Sequence, residues 1–273
     1  MTTLQRQQDL RSADGTRLGW FRADPTGAPK ADVLLIHGYA DHMGRYHHVA
    51  KALVDAGYRV FGLDLRGHGV AEGRRGHVRR WTEYSQDVDA AVAAIGSAPF
   101  IVAHSAGGLV ALDYLRQNPA RGVVLSATLL RPKLKAPFWK LAAARLLNRV
   151  IPALAMGNEL KADEVSRHPD IVKGYETDPL VFHIITPRWF SEMGKAAERV
   201  LAHGSKYTLP AFAMYGTGEK IVDTGLIDRL ASEWGGPIAK TVFPGLYHEI
   251  FNEPERADVL TATVQWLDTQ VSK

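Results

Sequence analysis

The chain has 273 residues, a formal net charge of +4, 46% hydrophobic residues and no cysteine. The missing thiols exclude disulfides, thiolate metal sites and cysteine nucleophiles. The charge is too mild to imply a nucleic-acid partner, and no stretch approaches the ~20 apolar residues of a membrane span. The polar start, MTTLQRQQDL, lacks the apolar core of a secretion signal, so a cytoplasmic protein is expected.

In chain order, LQRQQDLRSADGTRLGWFRAD holds two strand-like runs around the turn signal ADGT. ADVLLIHG is a continuous apolar run, the pattern of a strand covered on both faces. GRYHHVAKALVDAG has helical spacing and a glycine stop. YRVFGLDLRGHG is a second buried strand ending in glycines. TEYSQDVDAAVAAIG reads as a helix with Thr82 as its N-cap. APFIVAHS is a strand, AGGLVALDYLRQNP a helix and RGVVLSATLL a strand. After a long interruption come the strand LPAFAMYG, the helix TGLIDRLASEWG, the strand PIAKTVFPG and the helix EPERADVLTATVQWLDTQ.

This alternation predicts an α/β fold, with a mostly parallel central sheet and helices on both faces. Ligands in such sheets bind beyond the carboxyl ends of the strands. The interruption, 131–206, shows no clear strand and carries apolar segments at helical spacing, among them APFWKLAAARLLNRVIPALAMG and DPLVFHIITPRWFSEMGKAAERVLAHG. It is too long for a structureless loop. The expected division is an α/β core of 1–130 and 207–273 with a helical cap, 131–206, inserted over the strand ends.

The motif AHSAG, Ala103 to Gly107, sits between a strand and a helix, where small-x-Ser-x-Gly forms a nucleophile elbow. The bend lifts the Ser105 hydroxyl clear of the backbone, beside a helix N-terminus that favours negative charge. Serine needs a base, and the base needs an orienting carboxylate. Hydrolases of this topology place them in the order Ser, acid, His after successive strands. His248 follows the last strand. After AFAMYG comes TGEKIVD, which offers Glu219 first and Asp223 second. Glu219 stands at the strand end where the acid belongs. Asp223 precedes a helix, and its simpler role is an N-cap. The oxyanion donors are expected to be the backbone N–H groups of Ala106 and Tyr39. His37 is expected to buttress the Tyr39 loop by hydrogen bonds.

Other motifs are quieter. HMGRYHH lacks the spaced carboxylates of a metal site, and no dinucleotide or phosphate-loop fingerprint is present, so neither metal nor organic cofactor is expected. The basic run EGRRGHVRR offers a patch for an anionic phospholipid or nucleic acid, but reads first as a loop whose arginines make structural hydrogen bonds.

The segments HGYADHMGRY, DLRGHGVAEGRRGHV, AHSAGG, VSRHPDIVKGYETDPLV, YGTGEKIVD and YHEIFNE together resemble the monoglyceride lipase and lysophospholipase group of α/β-hydrolases, over residues 15 to 270. Three positions depart from that group: Ala103 stands where Gly is usual, Ala71 replaces the Ser of GHGxSxG, and Glu219 replaces Asp. The resemblance implies an α/β-hydrolase fold and a serine esterase acting on a monoacylglycerol or another single-chain lipid ester through an acyl-enzyme. Apolar cap helices would line an acyl slot and touch membrane surfaces transiently. A carboxylesterase for short soluble esters, a small-peptide hydrolase and a non-catalytic ligand-binding relative are the alternatives.

Overall fold

The computed structural model describes residues 4–8, 10–133 and 146–272. Its strands are β1 (Gln5–Arg6), β2 (Leu10–Arg11), β3 (Arg17–Ala23), β4 (Asp32–Ile36), β5 (Arg59–Asp64), β6 (Phe100–His104), β7 (Gly122–Ser126), β8 (Met156–Gly157), β9 (Ile184–Ile185), β10 (Ala211–Gly216) and β11 (Ile238–Phe243). Nine of them make one sheet in the order β1-β3-β5-β4-β6-β7-β10-β11, with β2 paired to β3. From β5 to β11 all pairs are parallel, and β1, β2 and β5 run antiparallel to β3. Every residue of β4, β6, β7 and β10 is buried, which is why these strands read as unbroken apolar runs rather than alternating ones.

Helices cover both faces. On one side the helices Thr82–Ile95, Ala106–Leu115 and Pro187–His203 pack around Val88, Leu109, Met193 and Val200. On the other, His47–Asp55 and Arg256–Val271 enclose Val49, Leu53, Val259 and Leu267. Thr82 is not the cap of its helix. Trp81 before it is already helical (φ −59°, ψ −30°), so Thr82 falls inside the first turn. The backbone N–H of Trp81 donates instead to Glu192 across the interface.

The stretch between β7 and β10 differs from the expectation in two ways. Met156–Gly157 and Ile184–Ile185 pair as a two-stranded antiparallel ribbon in a region that showed no strand signal. The helix Pro187–His203 buries Trp189, Met193, Ala196, Ala197 and Val200 against the helix Ala106–Leu115, so it belongs to the layer covering the sheet although it lies before residue 206. The apolar run APFWKLAAA expected to open the cap lies wholly within 134–145, outside the described residues.

Candidate active site

The chain bends sharply after β6. Ser105 sits at φ 51°, ψ −118°, a conformation costly for any residue with a Cβ. The bend is held from several sides. Ser105 N–H donates to the Ser126 carbonyl at 2.8 Å, and the Ser105 carbonyl accepts from Gly108 at 3.0 Å and Leu129 at 3.0 Å. The helix from Ala106 runs directly against β4. A Cβ on Gly107 would lie 2.3 Å from the His37 carbonyl oxygen, so only glycine permits this approach. Ala103 carries its extra methyl without difficulty, fully packed between β4 and β7.

The structure brings Ser105, His248 and Glu219 together although they lie on three separate loops. His248 Nε2 is 2.9 Å from Ser105 Oγ, and His248 Nδ1 is 2.8 Å from Glu219 Oε2. A carboxylate only accepts, so Nδ1 carries the proton and Nε2 accepts from the serine hydroxyl. The other oxygen, Glu219 Oε1, accepts from the N–H groups of Ile221 at 2.6 Å and Val222 at 3.1 Å. All three residues are buried, at most 6% exposed. Burial opposes charge on both partners. The His248 ring and the two loop N–H groups nevertheless hold Glu219 below its usual range, and Glu219 holds His248 above 6.5. Asp223 does not reach His248: it caps the helix Thr224–Glu233 through Gly225 N–H and pairs with Arg131.

Tyr39 and Ala106 both belong to segments that touch the serine. Ala106 N–H opens a helix and has no partner within it. Gly38 lies so close that a Cβ there would be 3.3 Å from Ser105 Cβ. His37 makes the loop bonds its position suggested. Its Nδ1 donates to the Gly38 carbonyl at 2.7 Å, its Nε2 accepts from Leu65 N–H at 3.1 Å, and burial keeps it neutral. His104 packs against His248 with centroids 4.8 Å apart and the rings tilted by 55°. Burial, with His248 beside it, pushes its pKa down to about 3, so it adds no competing charge.

A cavity of about 940 Å³, counting its solvent-filled mouth, opens onto Ser105 and His248. Much of its wall is apolar: Leu129, Leu160, Val165, Ile185, Phe190 and Met193. Of the two apolar cap segments, DPLVFHIITPRWFSEMGKAAERVLAHG contributes Ile185, Trp189, Phe190 and Met193, whereas residues 146–156 of the other are not part of the wall. Among the polar residues of the wall that escaped the sequence reading are Asp41, Tyr175 and Glu249. Arg45, behind them, donates to Asp41 Oδ1 at 2.9 Å and to both oxygens of Glu249 at 2.7 Å each. The adjacency of Glu249 to His248 was the one available signal. The partner Arg45 lies 204 positions away, visible only once the chain is folded. In the run HMGRYHH the rings serve separate structural bonds: His42 Nε2 with Asp178 at 2.9 Å, and His48 Nε2 with the Phe251 carbonyl at 2.7 Å.

A hydroxyl held by a buried imidazole, itself held by a carboxylate, in the wall of a largely apolar cavity is an arrangement suited to acyl transfer. Comparison with known proteins agrees with that chemistry. Residues 27–255 match the family model described as serine aminopeptidase, S33. The chain is 32% identical to the monoacylglycerol lipase of Mycolicibacterium smegmatis, over 98% of both chains. It is also 32% identical to the phospholipase YtpA of Bacillus subtilis, over 89% of this chain and 97% of that one. The crystal structure of the Paleococcus ferrophilus monoacylglycerol lipase superposes with a TM-score of 0.85 at 33% identity, covering 92% of this chain and 99% of that one.

Proposed function

The chain belongs to the serine aminopeptidase S33 family of α/β-hydrolases, and from that membership and its site we propose that it hydrolyses carboxylic esters of single-chain lipids, monoacylglycerols first among them. The observation that carries this reading is the cavity: a largely apolar wall includes a serine within hydrogen-bond reach of a buried histidine.

In the proposed mechanism, His248 Nε2 takes the proton of Ser105 as Oγ attacks the ester carbonyl. The N–H groups of Tyr39 and Ala106 stabilise the oxyanion, and Glu219 stabilises the imidazolium. The C–O bond to the alcohol breaks, and the alcohol oxygen leaves with the proton from His248. Water, deprotonated by the same histidine, then releases the fatty acid and restores Ser105. No step calls on a metal or an organic cofactor.

Within the cap expected over 131–206, the described residues 146–186 form in this reading the part that lies over the acyl slot, while the helix Pro187–His203 belongs to the layer covering the sheet. Leu146, Val150 and Ile151 are exposed by half or more, which suits transient contact with a lipid surface. Among the described residues no helix is long and apolar enough to cross a membrane. We place the protein in the cytoplasm, where a fold without cysteine needs no oxidising compartment. The test is hydrolysis of monoacylglycerols and p-nitrophenyl esters from two to eighteen carbons, with aminoacyl amides alongside. Rates that climb with acyl length support the lipase reading. A preference for the shortest esters moves it to a general carboxylesterase, and amide cleavage alone moves it to a peptidase.

A further inference from the structure

We propose that Tyr39 is a positioning residue through its side chain: its hydroxyl, bonded to the cap ribbon β8–β9, keeps the backbone N–H of the same residue aimed at the tetrahedral oxyanion. The inference rests on the acyl-enzyme reading above and adds the group that aims one of its donors.

The N–H of Tyr39 shares a trans peptide with the Gly38 carbonyl, so the two point in opposite directions. His37 Nδ1 donates to that carbonyl at 2.7 Å and fixes one end of the peptide. The next residue, Ala40, is fully buried at φ 60°, a left-handed conformation that is costly with a Cβ. Such a turn persists only where its surroundings hold it. Asp41 holds the far side, accepting from His42 N–H and from Tyr46 Oη at 2.8 Å each. Tyr39 holds the near side through the cap.

Tyr39 Oη donates to the Ile184 carbonyl, in β9, at 2.6 Å. The Tyr39 ring lies 4.1 Å from that of Trp189 and, edge-on, 5.3 Å from that of Phe182, between centroids. Burial holds the phenol well above its usual pKa, so it remains a donor at neutral pH. β9 is itself pinned: Thr186 donates to the Gly76 carbonyl through its N–H at 3.0 Å and its Oγ at 2.9 Å. Gly76, the second glycine of EGRRGHVRR, fits so closely that a Cβ there would lie 2.6 Å from the Ile184 carbonyl oxygen and 3.0 Å from Tyr39 Oη. Ile185, between the two anchors, lines the same cavity as Tyr39. Without the hydroxyl the ring keeps its packing. The strained turn, however, loses its bond to the ribbon, and the N–H loses its aim.

The test is Tyr39→Phe, assayed on 1-lauroylglycerol below its aggregation concentration. Its kcat should fall about 10-fold, part of the roughly 10²–10³ that loss of a whole oxyanion donor costs. KM should stay within about two-fold. The acid limb of the pH profile should stay in place, because His248 and Glu219 are untouched. Two inhibitors separate aim from shape. Dodecyl trifluoromethyl ketone takes Ser105 Oγ onto its carbonyl carbon; the serine proton passes to His248 and the carbonyl oxygen becomes an oxyanion. Its Ki should rise about 10-fold, in step with the loss in kcat. 1-Dodecylglycerol, an ether that forms no oxyanion, should bind as before. Thermal melts check folding. Should Tyr39→Phe fold poorly, Tyr39→Met, whose flexible side chain fills the space without a hydroxyl, takes its place. An unchanged kcat, or a rise in both inhibition constants together, overturns the inference and leaves the acyl-enzyme reading intact. A wild-type enzyme that neither turns over the ester nor binds the ketone overturns both.

Discussion

Glu219 holds His248 and its own loop at once: Oε2 meets His248 Nδ1 at 2.8 Å, while Oε1 takes the N–H groups of Ile221 and Val222. The extra methylene relative to aspartate is used to span both tasks. Glu219→Gln should fold and lose roughly two to four orders of magnitude in kcat, by analogy with loss of a triad acid. Glu219→Asp should keep partial activity, because the shorter side chain cannot reach the ring and both loop N–H groups together. Asp223→Asn should keep most activity and lose at most about 2 kcal/mol through its weakened cap. Steady-state rates and thermal melts of the three variants check this. A dead Asp223→Asn beside an active Glu219→Gln would reverse the assignment.

The pH profile follows from the same pair. His248 must be neutral to accept the serine proton, and Glu219 holds its pKa above 6.5 against the opposing effect of burial. The acid limb of kcat/KM should therefore lie above that value, with activity rising as pH rises through it. Removing the carboxylate charge in Glu219→Gln should move the limb to lower pH while the plateau falls. A limb that stays in place in the variant would assign it to another group.

Strain at the elbow makes a separate prediction. Ser105 at φ 51° carries a Cβ in a region that glycine occupies more cheaply. Ser105→Gly should melt higher than Ser105→Ala, with roughly 1–3 kcal/mol between them, the usual range for such strain. Both should be inactive by several orders of magnitude. Equal melting temperatures would mean the bend is unstrained.

The loop bearing Glu219 is laced to the segment that follows β7. Lys133 N–H donates to the Ile221 carbonyl at 2.8 Å, Lys133 Nζ to the Glu219 carbonyl at 2.7 Å, and Asp223 N–H to the Arg131 carbonyl at 2.8 Å. Lys133→Met leaves the Glu219 carbonyl short of a donor, which costs about 1–3 kcal/mol. It should lower kcat several-fold with little change in KM, and Lys133→Arg should restore it. A change confined to KM would place Lys133 in substrate binding instead.

Chain-length preference tests the cavity wall. Ile185 lines it, so bulk is added there. Ile185→Trp should shorten the preferred acyl chain, each methylene denied burial forfeiting about 0.8 kcal/mol. An unchanged profile would put the acyl chain elsewhere.

The sheet was legible because its central strands are buried on both faces and read as apolar runs ended by glycines. Ser105 was legible because a lone hydroxyl between such a strand and a helix has little else to do, and Glu219 because it is the first carboxylate past β10. The assignment of Pro187–His203 was not. An amphipathic helix shows that one face is buried, but not which body buries it. The ribbon β8–β9 is two residues on each side, too short to carry a period. The Asp41, Arg45 and Glu249 cluster joins distant positions, and no local pattern announces a contact of that kind. Thr82 has the chemistry of a cap, but the helical backbone of Trp81 leaves it no cap to fill.

The central claim is that Ser105 attacks a lipid ester, and it is tested most directly by one labelling measurement. The protein is treated with a long-chain alkyl fluorophosphonate, the modified peptide is identified by mass spectrometry, and residual monoacylglycerol hydrolysis is followed in the same samples. The expected result is a single adduct on Ser105, with hydrolysis lost in proportion to labelling. An adduct on another residue, or hydrolysis that persists when Ser105 is fully modified, would contradict it.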